Sequence, residues 1–299
     1  MSCKILAVGE VLWDLLPPPT GKQLGGAPAN FAFHARSLGA RAGLITRVGA
    51  DDLGREVLER FRLLGLPTET VQVDPDRPTG TVTVALAADG QPQYTIHEHV
   101  AWDRIEADPA GLAEARTADA VCFGSLAQRS EPSRRAIRAL VAATPDKALR
   151  VFDVNLRPPF VDRNVVADSL ELANVLKLND HELPELASMF GLSTAVRETM
   201  TQLAGRFGLS AIALTRGAGG SLLLADGQWS DHPGRPTVVR DTIGAGDAFT
   251  ACLVVGLLAG RPLDAINDHA NAVAAFVCSQ PGGTPQLPDS LKQPATTPE

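Results

Sequence analysis

The feature that most constrains this chain is an alternation, sustained over most of its 299 residues, between short apolar runs and longer amphipathic stretches. Ile5–Val8, Gly43–Val48, Ala120–Phe123, Val151–Val154, Val175–Leu178, Ala211–Thr215 and Ser221–Ala225 are apolar almost throughout, as strands buried on both faces must be. Among them lie helical stretches at Asp52–Leu64, Pro132–Ala143, His181–Phe190, Ala195–Phe207 and Leu263–Ser279. Gly39 and Gly65 each follow such a stretch, where a left-handed C-terminal cap is expected. Buried strands separated by helices predict an α/β fold: a doubly wound, mostly parallel sheet with helices on both faces. Ligands of such a sheet bind beyond the carboxyl ends of its strands.

One region breaks the rhythm. Thr68–Val100 reads as extended, with segments at Glu69–Val73, Thr81–Ala87 and Gln93–His97 and a turn at Ala88-Asp89-Gly90-Gln91. Val11–Leu16, before Pro17-Pro18-Pro19, is suited to join them. The expected division is therefore a main domain of residues 1–10, 27–67 and 101–299, with a small β-sheet of residues 11–26 and 68–100 inserted into it. A lid over a cleft is the natural use of such an appendage; an oligomer contact or decoration is the alternative. The proline-rich tail from Thr284 is expected to be loosely attached. The sequence has no internal repeat.

Composition removes several classes of function. Hydrophobic residues make up 44% and charged residues 20%, enough for a sizeable core. A net charge of −7 without a basic cluster argues against nucleic acid as a partner. Cys3, Cys122, Cys252 and Cys278 are widely spaced, which fits a reducing compartment better than a disulfide framework or zinc site. Cys122 and Cys278 sit in apolar runs and read as core. No segment reads as a signal peptide or membrane span, so a cytoplasmic protein is expected. His97 and His99 share a strand face but have no further Cys or His partner, so an exposed position is expected rather than a metal site. Neither a P-loop nor a dinucleotide-binding glycine motif occurs in a fitting context.

The strongest chemical signal is Asp241-Thr242-Ile243-Gly244-Ala245-Gly246-Asp247, running into the apolar stretch from Ala248. Small residues at Gly244, Ala245 and Gly246 permit a tight bend, and the apolar stretch reads as a buried helix. The first amides of that helix have no internal acceptor and the helix dipole lies behind them, making an anion hole. Asp247 lies in the first turn, where it can accept a proton from an attacking hydroxyl; simple helix capping is the alternative role.

This string resembles the hallmark of the ribokinase-like, or PfkB, carbohydrate kinases, and the resemblance covers most of the chain. It implies a kinase that moves a phosphoryl group from ATP to a sugar, with Asp247 as general base and Gly244, Ala245 and Gly246 as the anion hole. Gly25-Gly26-Ala27-Pro28-Ala29-Asn30 is similar to the family's N-terminal motif, implying that Gly25, Gly26 and Asn30 contact the sugar, with Asp14 binding its hydroxyls. Asn179 and Glu182 match an N-x-x-E motif, which implies orientation of water on Mg²⁺; their spacing also suits a capping box. Thr215-Arg216-Gly217-Ala218-Gly219-Gly220 resembles the nucleotide-side loop, implying Thr215, Gly217 and Gly219 near ATP phosphates. Asn271 matches a position near adenine. Asp241 and Ile243 match a monovalent-cation site, although the loop Ser279–Thr284 departs from the ribokinase pattern and leaves K⁺ activation open. Many relatives form homodimers through the lid.

Three stretches resemble the fructokinase branch: Gly9–Asp14, Ala101-Trp102-Asp103, and Asp153-Val154-Asn155-Leu156-Arg157-Pro158-Pro159, whose Arg157 is suited to grip phosphate or a sugar oxygen. The resemblance therefore implies fructose as substrate and fructose 6-phosphate as product. The alternatives are a 2-keto-3-deoxygluconate kinase, ribokinase or nucleoside kinase of the family, and, in a different class, a non-catalytic sugar or nucleotide sensor on the same fold.

Overall fold

Each of the seven apolar runs is a strand of one nine-stranded sheet in the computed structural model, which describes residues 2–17, 21–86 and 92–292. The strands are β1 (Lys4–Val8), β4 (Arg41–Gly49), β5 (Val71–Asp74), β8 (Ala120–Gly124), β9 (Leu149–Asp153), β10 (Val175–Asn179), β11 (Ala211–Thr215), β12 (Ser221–Ala225) and β13 (Gln228–His232). They lie in the order β13-β12-β11-β10-β9-β8-β1-β4-β5, parallel except for the antiparallel β12 and β13. From β1 the chain runs outward to β4 and β5, then returns to β8 on the other flank. The carboxyl ends of β1 and β8 thus mark a topological switch point, where an open α/β sheet forms its crevice.

Alternate strand residues enter two separate cores. Ile5 and Ala7 face α1 (Ala27–Ser37), α2 (Asp52–Leu63), α8 (Ala245–Leu258) and α9 (Leu263–Cys278). Leu6 and Val8 face α3 (Pro109–Ala115), α4 (Glu131–Ala142), α5 (Arg163–Leu172), α6 (Glu182–Phe190) and α7 (Val196–Phe207). Helix α8 is apolar around most of its circumference because it is buried from Ala248 to Val254. No helix among the described residues is long and apolar enough to cross a membrane.

A separate four-stranded sheet has the order β3-β2-β6-β7, from β2 (Leu12–Leu15), β3 (Lys22–Gly25), β6 (Gly80–Leu86) and β7 (Pro92–Ile96). Leu12, Val82 and Val84 form its small core. One expectation is corrected here. The segment Glu69–Val73, assigned to the small sheet with the rest of residues 68–100, instead contributes β5 to the edge of the large one, paired in parallel with β4. Val71 is buried there and Val73 is exposed, so the alternation is that of an edge strand; alternation alone does not say which sheet a strand joins. The Ala88–Gln91 turn and most of the triple proline lie outside the described residues.

A second correction concerns the tail. Leu287 is buried in the core beside α9, and the carbonyl of Leu291 in the short α10 (Asp289–Lys292) is 2.8 Å from His269 Nε2. One leucine inserted into a core and one hydrogen bond anchor this segment; residues 293–299 lie outside the description.

The small sheet is clamped to the body by a residue cluster just after β7. Trp102 is fully buried, and the Arg129 guanidinium lies 4.0 Å from its ring centroid and 4.6 Å from that of Phe160. Arg129 also donates to both carboxylate oxygens of Asp103, at 2.8 and 3.0 Å, and to the carbonyl of His97. A Cβ on Gly80, where β6 begins, would stand 2.2 Å from the indole nitrogen, so only glycine lets the strand pass. Trp102→Ala is expected to lower unfolding free energy by about 3–5 kcal/mol, read from urea denaturation, because it empties the centre of this clamp.

Candidate active site

The crevice is built from chain segments far apart in sequence. Its floor is the start of α8. Gly244 is the N-cap, with φ +78°, and a Cβ there would be 2.3 Å from the carbonyl oxygen of Gly283. Left-handed backbone and the close approach of the Gly283 loop both require glycine at this point. The following turn presents its free amides outward. Asp247 stands in that turn, and its Oδ2 accepts a 2.8 Å hydrogen bond from Asn30 Nδ2 on α1. Two motifs separated by most of the chain therefore meet side chain to side chain.

The glycine pair serves the same crevice. Gly26 caps α1 with φ +109°, and a Cβ there would strike the Glu10 carbonyl at 2.6 Å. A Cβ on Gly25 would be 2.5 Å from Asp14 Oδ2, so the absent side chain makes room for that carboxylate. Arg157 is exposed beyond β9 and, among the described residues, donates to the neighbouring Leu156 carbonyl at 2.9 Å. Its charge is felt at Glu10, Asp14 and Asp247, which places it over the same cleft.

These acids are unusually easy to protonate. Burial and then the nearby Asp153 charge push the Asp247 carboxyl up to about 6, against the opposing pull of Asn30, Lys177 and Arg157. Burial likewise pushes Asp14 up to about 6, opposed by Arg157. Glu10 is 2% exposed, and burial raises it to about 7; its Oε2 has no hydrogen-bond partner. Glu10 was visible in the sequence only as part of the Gly9–Asp14 likeness, and nothing in its spacing announced a buried acid.

The C-terminal loop closes over the helix start. The Asp241 carboxylate accepts the amides of Ile243, at 3.0 Å, and Gly282, at 2.9 Å. The two residues expected at a monovalent-cation site are thus joined by a clasp between loops, made by backbone amides. His34 supports the same loop: its Nε2 is 2.9 Å from the Gly283 carbonyl, and burial lowers its imidazole to about 4, so it is neutral and donates. His34 gave no motif signal.

On the other flank, Glu182 Oε1 accepts the amide of Leu156 at 2.9 Å and Oε2 that of Asn179 at 2.8 Å, while Asn179 Oδ1 accepts the amides of His181 and Glu182. The pair forms a closed capping box at the start of α6. Among the described residues, no three His, Cys, Asp or Glu side chains come together as a metal cage. His97 is exposed and meets Thr83, and His99 is exposed too. Thr215 ends β11 beside the glycine turn Gly217–Gly219, with Gly217 at φ +52°. Arg216, unremarked in the sequence, fastens that turn to Asp231, the Ser221 carbonyl and the His232 carbonyl. Asn271 is buried where α9 meets β12. Its amide donates to Ser221 Oγ and to Asn267 in a buried network, which spends it on holding α9 to β12. Of the cysteines, Cys122 and Cys252 are buried, whereas Cys278 is only half-buried.

Comparison with known proteins agrees with this geometry. Residues 5–290 match the model of the pfkB family carbohydrate kinases. A fructokinase of Klebsiella pneumoniae is 32% identical over 283 residues, covering 92% of this chain and 89% of the relative. An aminoimidazole riboside kinase of Salmonella typhimurium is 29% identical, covering 95% and 92%. The crystal structure of a sugar kinase from Pyrococcus horikoshii in complex with ATP superposes with a TM-score of 0.80 at 28% identity, covering 94% of each chain. A glycine-capped helix start with an aspartate in its first turn, set at the switch point of this sheet and matched over almost the whole chain, identifies the protein as a member of the pfkB family of carbohydrate kinases.

Proposed function

We propose that this kinase phosphorylates fructose with ATP, using Asp247 as general base. The observation that carries the reading is the Asn30–Asp247 hydrogen bond at the mouth of α8. It joins α1, with Gly26 at its N-cap, to the helical turn that carries Asp247 and the amides of Gly244, Ala245 and Gly246. The sugar lies between Asp14, Gly26 and Asn30, under the small sheet acting as a lid. A carboxylate and an amide side chain together can accept from and donate to its hydroxyls.

In the transfer step the Asp247 carboxylate takes the proton of the attacking hydroxyl, that on C6 for fructose. The new O–P bond forms as the bond from the γ-phosphorus to the bridging oxygen breaks, leaving ADP. The amides of Gly244, Ala245 and Gly246 face the oxygens of the moving phosphoryl, where charge must be stabilised. ATP lies along Thr215–Gly220 and brings Mg²⁺ as part of the MgATP substrate. Asn179 and Glu182, whose side-chain oxygens already accept backbone amides, would act on that ion by orienting its hydration water, which Mg²⁺ largely keeps.

The fructokinase likeness of Klebsiella supports fructose, as do the Gly9–Asp14 and Asp153–Pro159 stretches. The riboside kinase relative supports a second reading, a nucleoside as acceptor, since a few pocket contacts decide such specificity. ADP release should be measured with MgATP across fructose, ribose, tagatose, 2-keto-3-deoxygluconate, inosine and aminoimidazole riboside. Fructose is expected to give the highest kcat/KM. A nucleoside in first place would overturn the substrate and keep the mechanism; silence with retained ligand binding would indicate a sensor.

Asp247→Asn is expected to lower kcat by about 10²–10⁴ while leaving sugar and ATP affinity within a fewfold. The same variant should melt a few degrees higher at pH 7.5. The sign follows from the raised carboxyl: the native state binds this proton more tightly than the unfolded chain, so stability is lost as pH rises from about 4 to 6. An amide of the same shape carries no such penalty. In the wild type, kcat/KM should fall about tenfold per pH unit below about 6, as Asp247 takes up a proton and can no longer accept one. A rate independent of pH down to 4.5 would remove Asp247 from the role of base.

A further inference from the structure

A buried ion pair lies beneath the catalytic turn and touches neither ligand in the transfer step proposed above. Lys177, in the middle of β10, is 7% exposed, and its Nζ is 3.0 Å from Asp153 Oδ1 at the end of β9. The other Asp153 oxygen accepts from Thr250 Oγ1 at 3.2 Å, and the same hydroxyl is 2.9 Å from the Gly246 carbonyl. Thr250 is fully buried in α8. A Cβ on Gly246 would stand 3.2 Å from Lys177 Nζ, so the ammonium lies close behind that residue of the turn.

This is a poor place for a cation on structural grounds alone. The N-terminus of a helix already carries partial positive charge, and a lysine behind it is repelled. Burial adds a desolvation cost, and an apolar pair of the same shape would serve stability as well or better. The repulsion disappears once a polyanion occupies the outer side of the same helix terminus, because the ammonium then faces negative charge through the Gly246 peptide.

We propose that Lys177 and Asp153 are a positioning pair for phosphoryl transfer: Asp153 anchors the first turn of α8 through Thr250, and Lys177 places a full positive charge behind the Gly246 amide. The inference rests on the kinase reading above and adds two residues to it. Around Asp247 the titratable and charged neighbours are Glu10 beyond β1, Cys122 on β8, Asp153 on β9, Arg157 in the following loop and Lys177 on β10, with neutral Asn30 on α1. Asp153 and Lys177 pull this carboxyl in opposite directions, the first upward and the second downward. Burial works against the Lys177 charge, but Asp153, Glu182 and Asp247 outweigh it and keep the ammonium protonated.

Three variants test the proposal: Lys177→Met, Asp153→Asn and the double variant. Breaking a buried pair destabilises, whereas replacing both partners is close to neutral, so the double variant is the one expected to fold like the wild type. With MgATP and the preferred sugar it should keep its melting temperature and sugar KM yet lose at least about tenfold in kcat. Wild-type kcat in the folded double variant would overturn the proposal and leave the pair a packing feature. A second readout needs no turnover: ¹³C-carboxyl NMR titration of Asp247, assigned with Asp247→Asn. Lys177→Met should move its midpoint to higher pH and Asp153→Asn to lower pH; no movement, or movement in the same direction, would overturn the pair's coupling to the base. A wild type inert toward every acceptor would defeat the kinase reading, while the titration would still decide the coupling.

Discussion

The site depends on where α8 begins. A helix so apolar must be buried, and burying it forces its first amides against the carboxyl ends of the strands, where no secondary structure remains to satisfy them. Gly244 makes that start feasible by taking a left-handed conformation in which any Cβ would stand 2.3 Å from the Gly283 carbonyl oxygen. The loops on either side are then locked to each other by Asp241 and to α1 by His34. An anion hole made this way is preorganised: its donors are held by the core of the protein and not by the ligand.

Around that positive terminus the chain gathers acids. Glu10, Asp14 and Asp247 come from three segments, and burial makes each of them hold a proton more readily than a free carboxyl. Arg157 and Lys177 moderate the effect from opposite sides, one exposed above the cleft and one buried below it. The balance matters because a base must be ionised to act yet basic enough to take a proton from an alcohol. A solvated aspartate would satisfy the first demand only.

Much of this was legible in the sequence, and the legible part has a physical pattern. Strands buried on both faces announce themselves by continuous apolar runs, so all seven emerged. The other two strands of the large sheet are edges: β5 alternates and was read as extended but assigned to the small sheet, and β13, with Gln-Trp-Ser-Asp-His, has no run at all and was missed. The string Asp241–Asp247 and the Gly-Gly…Asn30 motif stand out because glycine clusters are rare and local. The pairings of His34, Asp153 and Lys177 do not stand out, since each partner is at least 24 residues away, as in the Lys177–Asp153 bond. A buried charge pair is a property of strand order, and strand order is not written in any window of sequence. Asn271, which matched a motif position, also donates its amide within the core, and that partnership with Ser221 is likewise invisible in any local stretch.

The arrangement also shows where stability is given up. Ionised Asp247 beside Asp153, a lysine behind a helix N-terminus and a buried Glu10 oxygen without a partner are all costly in the free protein. None is needed to form the two hydrophobic cores, which are complete without them. With the ligands proposed above, a polyanion and a hydroxyl-rich sugar, each cost would fall, because the ammonium would gain an opposite charge to face and the acids would gain donors. The fold thus holds its site in a state that the ligands relieve, and the tightly clamped Trp102–Arg129 cluster and glycine-locked loops keep it from relaxing by local rearrangement instead.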